Sequence, residues 1–137
     1  MEFTDVLGFL RENHMAVVTT VGSLGRAQST VVSAGEMNGT MVFVSRGGTV
    51  KINNIRKSAR CTVTTIKLDT RRYVTVEGPA AVCGWDNTEE AELLRVLGDV
   101  YTAVGRPPSA WPDFNKSMRD EARTAVIVTP KRVYGSI

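Results

Sequence analysis

The sequence has one histidine, two cysteines and no long hydrophobic run, and each shortage excludes a class of protein. The single histidine, His14, rules out a histidine-rich metal site and argues against a Ser-His-acid catalytic triad. Cys61 and Cys83 lack the CxxC spacing of a metal or redox motif, so we interpret both as small apolar strand residues. No apolar stretch reaches the roughly 20 residues that span a bilayer, and the N-terminus lacks the pattern of a secretion signal. We therefore expect a cytoplasmic protein with no membrane span and no metal site.

Aromatic residues and surplus charge are also scarce, at 7% of the chain and a net charge of +3. A protein that binds single-stranded nucleic acid needs several exposed aromatics in a basic groove, so nucleic acid is not an expected partner. The mild basicity favours a localised anion site instead. A length of 137 residues predicts one domain, residues 1–137.

Hydrophobic periodicity predicts short strands with helices inserted between some of them. Runs rich in β-branched residues indicate strands, and Asn38-Gly39 is a strong signal for a tight hairpin. Apolar residues at helical spacing follow a cap at Asn87 or Thr88. The predicted strands are 15–21, 28–34, 41–45, 60–67, 73–83 and 124–129, with pairing resuming at 133–134, and the predicted helices are 4–13, 50–57, 87–104 and 113–123. Short antiparallel strands in one small domain favour a barrel, so the predicted fold class is mainly β with inserted helices.

The segment SRGGTVKINNIRK, residues 45–57, has the composition of an anion-binding loop. It combines the hydroxyls of Ser45 and Thr49, two adjacent glycines, a helix start, and the cations Arg46 and Lys51. Glycines let the backbone approach a ligand, and a helix N-terminus offers free N–H donors. The GxxxxGK[ST] spacing of a P-loop is absent. The alternative interpretation is a polar loop followed by a basic, solvated helix.

No group of residues stands out as a catalytic constellation. The carboxylates cluster on predicted helix faces without forming an acid and base pair. Cys61 follows Arg60, which could lower the pKa of a thiol, but strand alternation does not establish that Cys61 is exposed. The catalytic residues are therefore left unassigned.

Several stretches together carry a family resemblance. They are FLRENHMAVVTTVGSLGRAQSTVV, MVFVSRGGTVKINNIRKSARCTV, RRYVTVEGPAAV, ELLRVLGDVY, SAWPDFNKSMRDEAR and the ending RVYG. In order and spacing they resemble the split β-barrel flavin and deazaflavin oxidoreductases, the superfamily of pyridoxamine 5'-phosphate oxidase. The resemblance covers nearly the whole chain and is greatest to the actinobacterial branch that uses the deazaflavin coenzyme F-420. It implies the small antiparallel split barrel that binds FMN in this superfamily.

The resemblance implies that the anion is the phosphate of a redox coenzyme, either F-420 or, alternatively, FMN. A flavin or deazaflavin carries the hydride chemistry itself, and the protein supplies binding, orientation and exclusion of water. The implied activity is hydride transfer between F-420 and a small electron-poor organic substrate, at a site completed across a homodimer interface. The alternatives are an FMN-dependent oxidase or reductase of the same fold and a carrier that binds the coenzyme without turnover.

The resemblance also assigns candidate coenzyme-binding residues. Tyr73 and Trp111 would come from the partner chain, although both can also be interpreted as packed aromatics. The chain departs from the family pattern at Ala27, Thr49, Val31 and Val32, which leaves the identity of the coenzyme open. The full candidate set is Gln28, Thr30, Val31, Val32, Ser33, Ser45, Arg46, Thr49, Lys51, Asn54, Tyr73 and Trp111.

Overall fold

The computed structural model describes residues 1–137 and contains seven β-strands and four α-helices. The strands are β1 (Met15–Val21), β2 (Ala27–Met37), β3 (Thr40–Arg46), β4 (Arg60–Lys67), β5 (Arg72–Cys83), β6 (Arg123–Val128) and β7 (Arg132–Ser136). The helices are α1 (Leu7–Glu12), α2 (Val50–Ser58), α3 (Glu90–Ala103) and α4 (Phe114–Asp120), with short 3-10 turns at Phe3–Val6 and Pro108–Ala110. None of the helices is long and apolar enough to cross a bilayer.

Six of the strands close into an antiparallel barrel in the order β4-β1-β2-β3-β6-β5, and the pairing of β4 with β5 completes the ring. Closure depends on the length of β5, which pairs with β4 through Pro79 and with β6 from Ala80 onward. Strand β7 then pairs with the first part of β5, on the edge opposite β4. The expected split barrel is confirmed, including the resumption of pairing after Pro130.

Two apolar clusters lie on opposite faces of β3, because side chains alternate along a strand. Met41 and Phe43 point into the barrel, where they belong to a cluster of 15 buried residues. Val42 points outward into a second cluster of nine buried residues that α3 and α4 cover. Helix α2 joins the barrel cluster through Ile52 and Ile55. These two side chains fix the start of α2 against the barrel, directly after the predicted anion-binding loop.

Gly78 marks a point where two backbones meet inside the barrel wall. A Cβ atom built at Gly78 would lie 1.9 Å from the carbonyl oxygen of Thr129, a distance that no side chain tolerates. Glycine is therefore required where the chain passes from β6 to β7 beside β5.

Four predicted element boundaries differ from the structure, the first because residues 3–6 form a 3-10 turn and α1 begins at Leu7. Strand β2 extends to Met37 because its second half pairs with β3 in the hairpin. Helix α3 begins at Glu90, and Glu89 is its N-cap, with its carboxylate accepting from the N–H groups of Ala91 and Glu92. The side chain of Asn87 accepts instead from the N–H of Gly84 at 2.8 Å, which closes the preceding turn. The last helix, α4, is shorter than expected, since it ends at Asp120.

Candidate anion-binding site

A cavity of about 380 Å³ opens between the barrel wall and the C-terminal half of α3. Strands β2 and β3 supply one side, the start of α2 supplies the floor, and α3 with its following turn supplies the other side. The lining residues are Val31, Val32, Ser33, Val44, Ser45, Arg46, Thr49, Lys51, Val100, Tyr101, Val104, Arg106 and Arg123.

Lys51 is the buried cation of this cavity. Its side chain lies in the first turn of α2, is 8% exposed, and has no hydrogen-bonding or ion-pair partner within the chain. Burial lowers the pKa of Lys51 below its usual value, and the nearby charge of Arg123 lowers it further. A partly desolvated ammonium without a counter-ion is unfavourable, so the site favours an anion beside Lys51.

Two hydroxyl groups lie on the loop that leads into α2. The oxygens of Ser45 and Thr49 are 3.2 Å apart, and both are within hydrogen-bonding distance of the carbonyl oxygen of Arg46, at 3.1 and 3.3 Å. Thr49 is the N-cap residue of α2, although its side chain does not cap the helix. These hydroxyls can therefore turn toward a ligand and donate to it.

Two arginines on neighbouring strands share one carboxylate at the edge of the cavity. Arg46 ends β3 and Arg123 begins β6, and the two are direct partners in the β3–β6 register. The Nε atom of Arg123 donates to Glu121 Oε2 at 2.6 Å, and Arg46 Nη2 donates to Glu121 Oε1 at 3.5 Å. These interactions, chiefly the hydrogen bond from Arg123, hold the pKa of Glu121 below its usual value. Glu121 is therefore charged near neutral pH.

A third arginine, Arg106, is held in place by an aromatic side chain. Its guanidinium carbon lies 3.7 Å from the centre of the Trp111 ring, and Trp111 Nε1 donates to the carbonyl oxygen of Arg106 at 3.3 Å. Trp111 packs edge-on against Tyr101 and Phe114, with ring centres 5.0 and 5.7 Å away. This stacking restricts the side chain of Arg106, which has no carboxylate partner.

The phenol of Tyr101 lies among these charges. Burial raises the pKa of Tyr101, and the nearby Arg123 and Arg106 oppose part of that rise. The phenol is therefore protonated near neutral pH and can donate a hydrogen bond within the cavity.

Gly47 has a different role from the one expected for the loop glycines. Its N–H donates to the carbonyl oxygen of Ala122 at 2.9 Å, so this donor is not free for a ligand. A Cβ atom at Gly47 would lie 2.9 Å from the same oxygen. Gly47 therefore lets the loop after β3 pack against the turn before β6, and this contact holds the two arginines of that edge together.

Seven of the twelve candidate residues line the cavity, and five do not. Gln28, Thr30 and Asn54 lie behind it: Gln28 Nε2 donates to Thr30 Oγ1 at 2.8 Å, and Asn54 Nδ2 donates to Thr20 Oγ1 at 3.1 Å. The side-chain oxygen of Gln28 is buried without a hydrogen-bonding partner. Tyr73 lies on β5, paired with Ile66 of β4 and Ser136 of β7. Trp111 lies behind Tyr101 and Arg106 of its own chain. The cavity-lining candidates are Val31, Val32, Ser33, Ser45, Arg46, Thr49 and Lys51.

Six lining residues were not among the candidates, and all six lie outside the predicted loop, residues 45–57. Val100 and Tyr101 fall at apolar positions of the predicted helix 87–104, and no spacing relates Arg106 or Arg123 to the loop. The register that pairs β3 with β6 is the signal that would have identified Arg123. The missed residues are Val44, Val100, Tyr101, Val104, Arg106 and Arg123.

The two cysteines and the histidine lie outside this cavity. Both cysteines are free thiols, and burial raises the pKa of Cys61 to about 12, which makes it an inert core residue. His14 Nδ1 lies 2.9 Å from the carbonyl oxygen of Ala34, at the junction between α1 and β1. The interpretation of Cys61 as an apolar strand residue is confirmed.

Comparison with known proteins gives a family and a set of similar folds. The family model described as pyridoxamine 5'-phosphate oxidase matches residues 4–136. No curated protein sequence matches the chain.

Three solved structures illustrate the likeness. The conserved hypothetical protein Rv2991 from Mycobacterium tuberculosis superposes with a TM-score of 0.72 and 22% identity, over 99% of this chain and 84% of that one. An F-420 reductase superposes with a TM-score of 0.68 and 16% identity, over 93% of this chain and 94% of that one. HutZ, the heme storage protein from Vibrio cholerae, superposes with a TM-score of 0.69 and 11% identity, over 99% of this chain and 96% of that one. At these identities the likeness establishes the fold alone.

Proposed function

This chain belongs to the pyridoxamine 5'-phosphate oxidase family, and from that premise we propose that its cavity binds the phosphate of a flavin-type redox coenzyme. We propose further that the protein is an oxidoreductase that transfers hydride between the deazaflavin coenzyme F-420 and a small electron-poor organic substrate. The unpaired ammonium of Lys51, on a residue that is largely buried and lines the cavity, is the observation that carries the proposal.

The residues around Lys51 fit a phosphate group. The hydroxyls of Ser45 and Thr49 can donate to its oxygens, and the first N–H groups of α2 lie on the same loop. Arg46 adds a guanidinium that can contact two oxygens at once. Charge, donors and a helix start thus converge on one side of the cavity.

The valines among the lining residues provide an apolar wall. Val31, Val32 and Ser33 follow one another along β2, opposite Val100 and Val104 of α3. In the proposal, the coenzyme ring lies along β2, and the valines keep water away from it. The coenzyme supplies the hydride chemistry when bound, so the protein needs no acid and base pair. The candidates behind the cavity, Gln28, Thr30 and Asn54, support the β1–β2 wall and the position of α2.

We also propose a homodimer in which the outer face of the barrel is the interface. Across β2, β1, β4, β5 and β7, one row of paired residues runs Val31, Val17, Thr64, Thr75 and Tyr134. Val31 is 69% exposed and Tyr134 is 40% exposed, and the row carries no charge. Tyr73 lies on the same face of β5 as Thr75, where it can reach a partner's cavity. Two free cysteines are consistent with the proposed cytoplasmic location.

FMN is the alternative coenzyme. An oxidase that uses FMN and a carrier without turnover would both need the same phosphate-binding residues. A direct measurement of affinity separates the coenzymes, and a turnover assay with reduced coenzyme and a panel of quinones, nitro compounds and enones separates an enzyme from a carrier.

The test is titration of the purified protein with F-420 and with FMN, followed by fluorescence quenching. We expect Lys51→Met and Arg46→Met each to weaken binding of the preferred coenzyme by about 1.5–3 kcal/mol, which is roughly 10- to 150-fold. Lys57→Met is the matched control, because Lys57 lies on the exposed end of α2. The proposal fails if the variant that lacks both Lys51 and Arg46 binds either coenzyme as the unmodified protein does.

A further inference from the structure

We propose that Glu121 is an internal counter-ion which competes with the ligand's phosphate for the arginines of the cavity, and thereby sets the affinity for the coenzyme. This inference depends on the proposed function, since it concerns the same cavity. It assigns an affinity-determining role to Glu121, which does not line the cavity and lies far along the chain from the predicted loop, residues 45–57.

The position of Glu121 is fixed by the backbone around it. The residue follows α4, and its neighbour Ala122 adopts a left-handed conformation with φ of 48°. The carbonyl oxygen of Ala122 accepts the N–H of Gly47 at 2.9 Å, so the turn is tied to the loop after β3. This turn therefore holds the carboxylate of Glu121 beside the guanidinium groups of Arg46 and Arg123.

The charges around the cavity do not balance. Four cations line it, namely Lys51, Arg46, Arg106 and Arg123, and Glu121 is the carboxylate bonded to two of them. Lys51 and Arg106 have no acidic partner. Without a ligand, Glu121 thus relieves part of the repulsion among the cations, and a bound phosphate would perform the same task more completely.

A competing role and a positioning role for Glu121 predict opposite effects on binding. If the carboxylate competes, its removal leaves the guanidinium donors of Arg123 and Arg46 free and makes the cavity more positive, so an anion binds more tightly. If the carboxylate positions the arginines for the ligand, its removal weakens binding. The bond from Arg46 is long, at 3.5 Å, and the one from Arg123 is short, at 2.6 Å. The carboxylate therefore occupies Arg123 more than Arg46.

The experiment compares Glu121→Gln with the unmodified protein in two measurements. The first is the affinity for whichever of F-420 and FMN the protein binds, by fluorescence quenching. The second is the rise of the melting temperature with inorganic phosphate, which does not depend on the coenzyme. We expect binding about 2- to 5-fold tighter, the range for a partly exposed ion pair, and a lower melting temperature without phosphate. Phosphate should then stabilise the variant more than it stabilises the unmodified protein.

Glu90→Gln is the matched control. Glu90 forms a comparable pair with Arg119, at 2.7 Å, on the exposed surface of α3 and α4. This variant should leave both measurements unchanged. If Glu121→Gln does not fold, Glu121→Asp keeps the charge but shortens the side chain, and it too should bind more tightly.

Unchanged or weaker binding by the folded variant would overturn the proposal. Failure of the proposed function is distinguishable, since in that case the unmodified protein binds neither coenzyme, or Lys51→Met and Arg46→Met have no effect. If those two variants lose affinity while Glu121→Gln also loses it, the coenzyme site stands and Glu121 is a positioning residue.

Discussion

At the scale of single residues, Lys51 makes coenzyme binding depend on pH. Its pKa is lowered in the free protein by burial and by Arg123, and a bound phosphate favours the charged ammonium and raises that pKa again. Binding therefore requires the protonated form, and the affinity should fall as the pH rises through the lowered pKa of Lys51 in the free protein. The loss should begin below the pH near 10.5 at which an unperturbed lysine titrates, because the pKa of Lys51 is lowered from that value.

The measurement is the dissociation constant of the preferred coenzyme from pH 7 upward. Lys51→Arg is the informative variant, since arginine keeps its charge over the whole range. Its profile should be flatter than that of the unmodified protein, and the slope that remains belongs to Tyr101, whose pKa is raised. Identical profiles for the two proteins would show that Lys51 does not contact the anion.

Some residues of the site can be identified from the sequence alone, and others cannot. Ser45, Arg46, Thr49 and Lys51 are close in sequence, and their chemistry is readable without a structure. Glu121 and the three missed polar residues come from α3, α4 and β6, so only tertiary packing brings them to the loop. No local pattern distinguishes such a residue from one on a solvated surface. The missed polar residues are Tyr101, Arg106 and Arg123.

At the scale of elements, the hydrophobic patterns predict the order of the helices and strands and the type of each one. They do not predict the residues at which these elements begin and end. The run from Met41 to Val44 predicts a strand, yet it does not reveal that α3 covers one face of it. The start of α3 was misplaced because Asn87, Thr88 and Glu89 all have side chains that can cap a helix. Glu89 is the N-cap because the side chain of Asn87 accepts instead from the N–H of Gly84 in the preceding turn.

The contact between the β3–α2 loop and the β6 turn gives an element-scale prediction. In Gly47→Ala the new methyl group would approach the carbonyl oxygen of Ala122 to 2.9 Å, so the loop must move away from the turn. We expect a loss of stability of about 1–3 kcal/mol, the usual cost of overpacking. Coenzyme affinity should fall as well, because Arg46 and Thr49 move with the loop. Thermal or urea denaturation and fluorescence quenching measure the two effects.

Gly8→Ala is the control for this prediction. Gly8 lies in α1, and a Cβ atom built there meets nothing within 4 Å. Alanine should therefore leave the affinity unchanged and stabilise the helix by roughly 0.5–1 kcal/mol. Equal behaviour of the two variants would contradict a specific role for Gly47.

At the scale of the whole molecule, the barrel has two faces with different environments. The helices α3 and α4 cover β3 and β6, whereas the five-strand row that begins at Val31 and ends at Tyr134 contributes no residue to the cluster under these helices. Barrel closure itself was expected from the short antiparallel strands. How it closes was not, because it depends on β5 exchanging one partner for another near Pro79, and no residue pattern marks that change.

This five-strand row supplies the last prediction, which concerns Val17. This residue lies in the middle of the row, paired with Val31 on one side and Thr64 on the other. In a symmetric homodimer Val17→Glu would bury two unpaired carboxylates, one from each chain. Desolvating such charges costs several kcal/mol, so the dimer should dissociate about 30-fold or more readily.

Sedimentation of the variant over a range of concentrations measures this dissociation. Ala91→Glu is the control, since Ala91 is exposed on α3, on the other side of the molecule. The coenzyme affinity of Val17→Glu should fall along with dimerisation if the partner chain completes the site, although the Lys51 cavity of each chain is intact. A dimer that survives the substitution would place the interface elsewhere, and a monomeric unmodified protein would contradict the proposed homodimer. The dependence of affinity on protein concentration then decides between a shared site and an independent one, because only a shared site is lost on dilution.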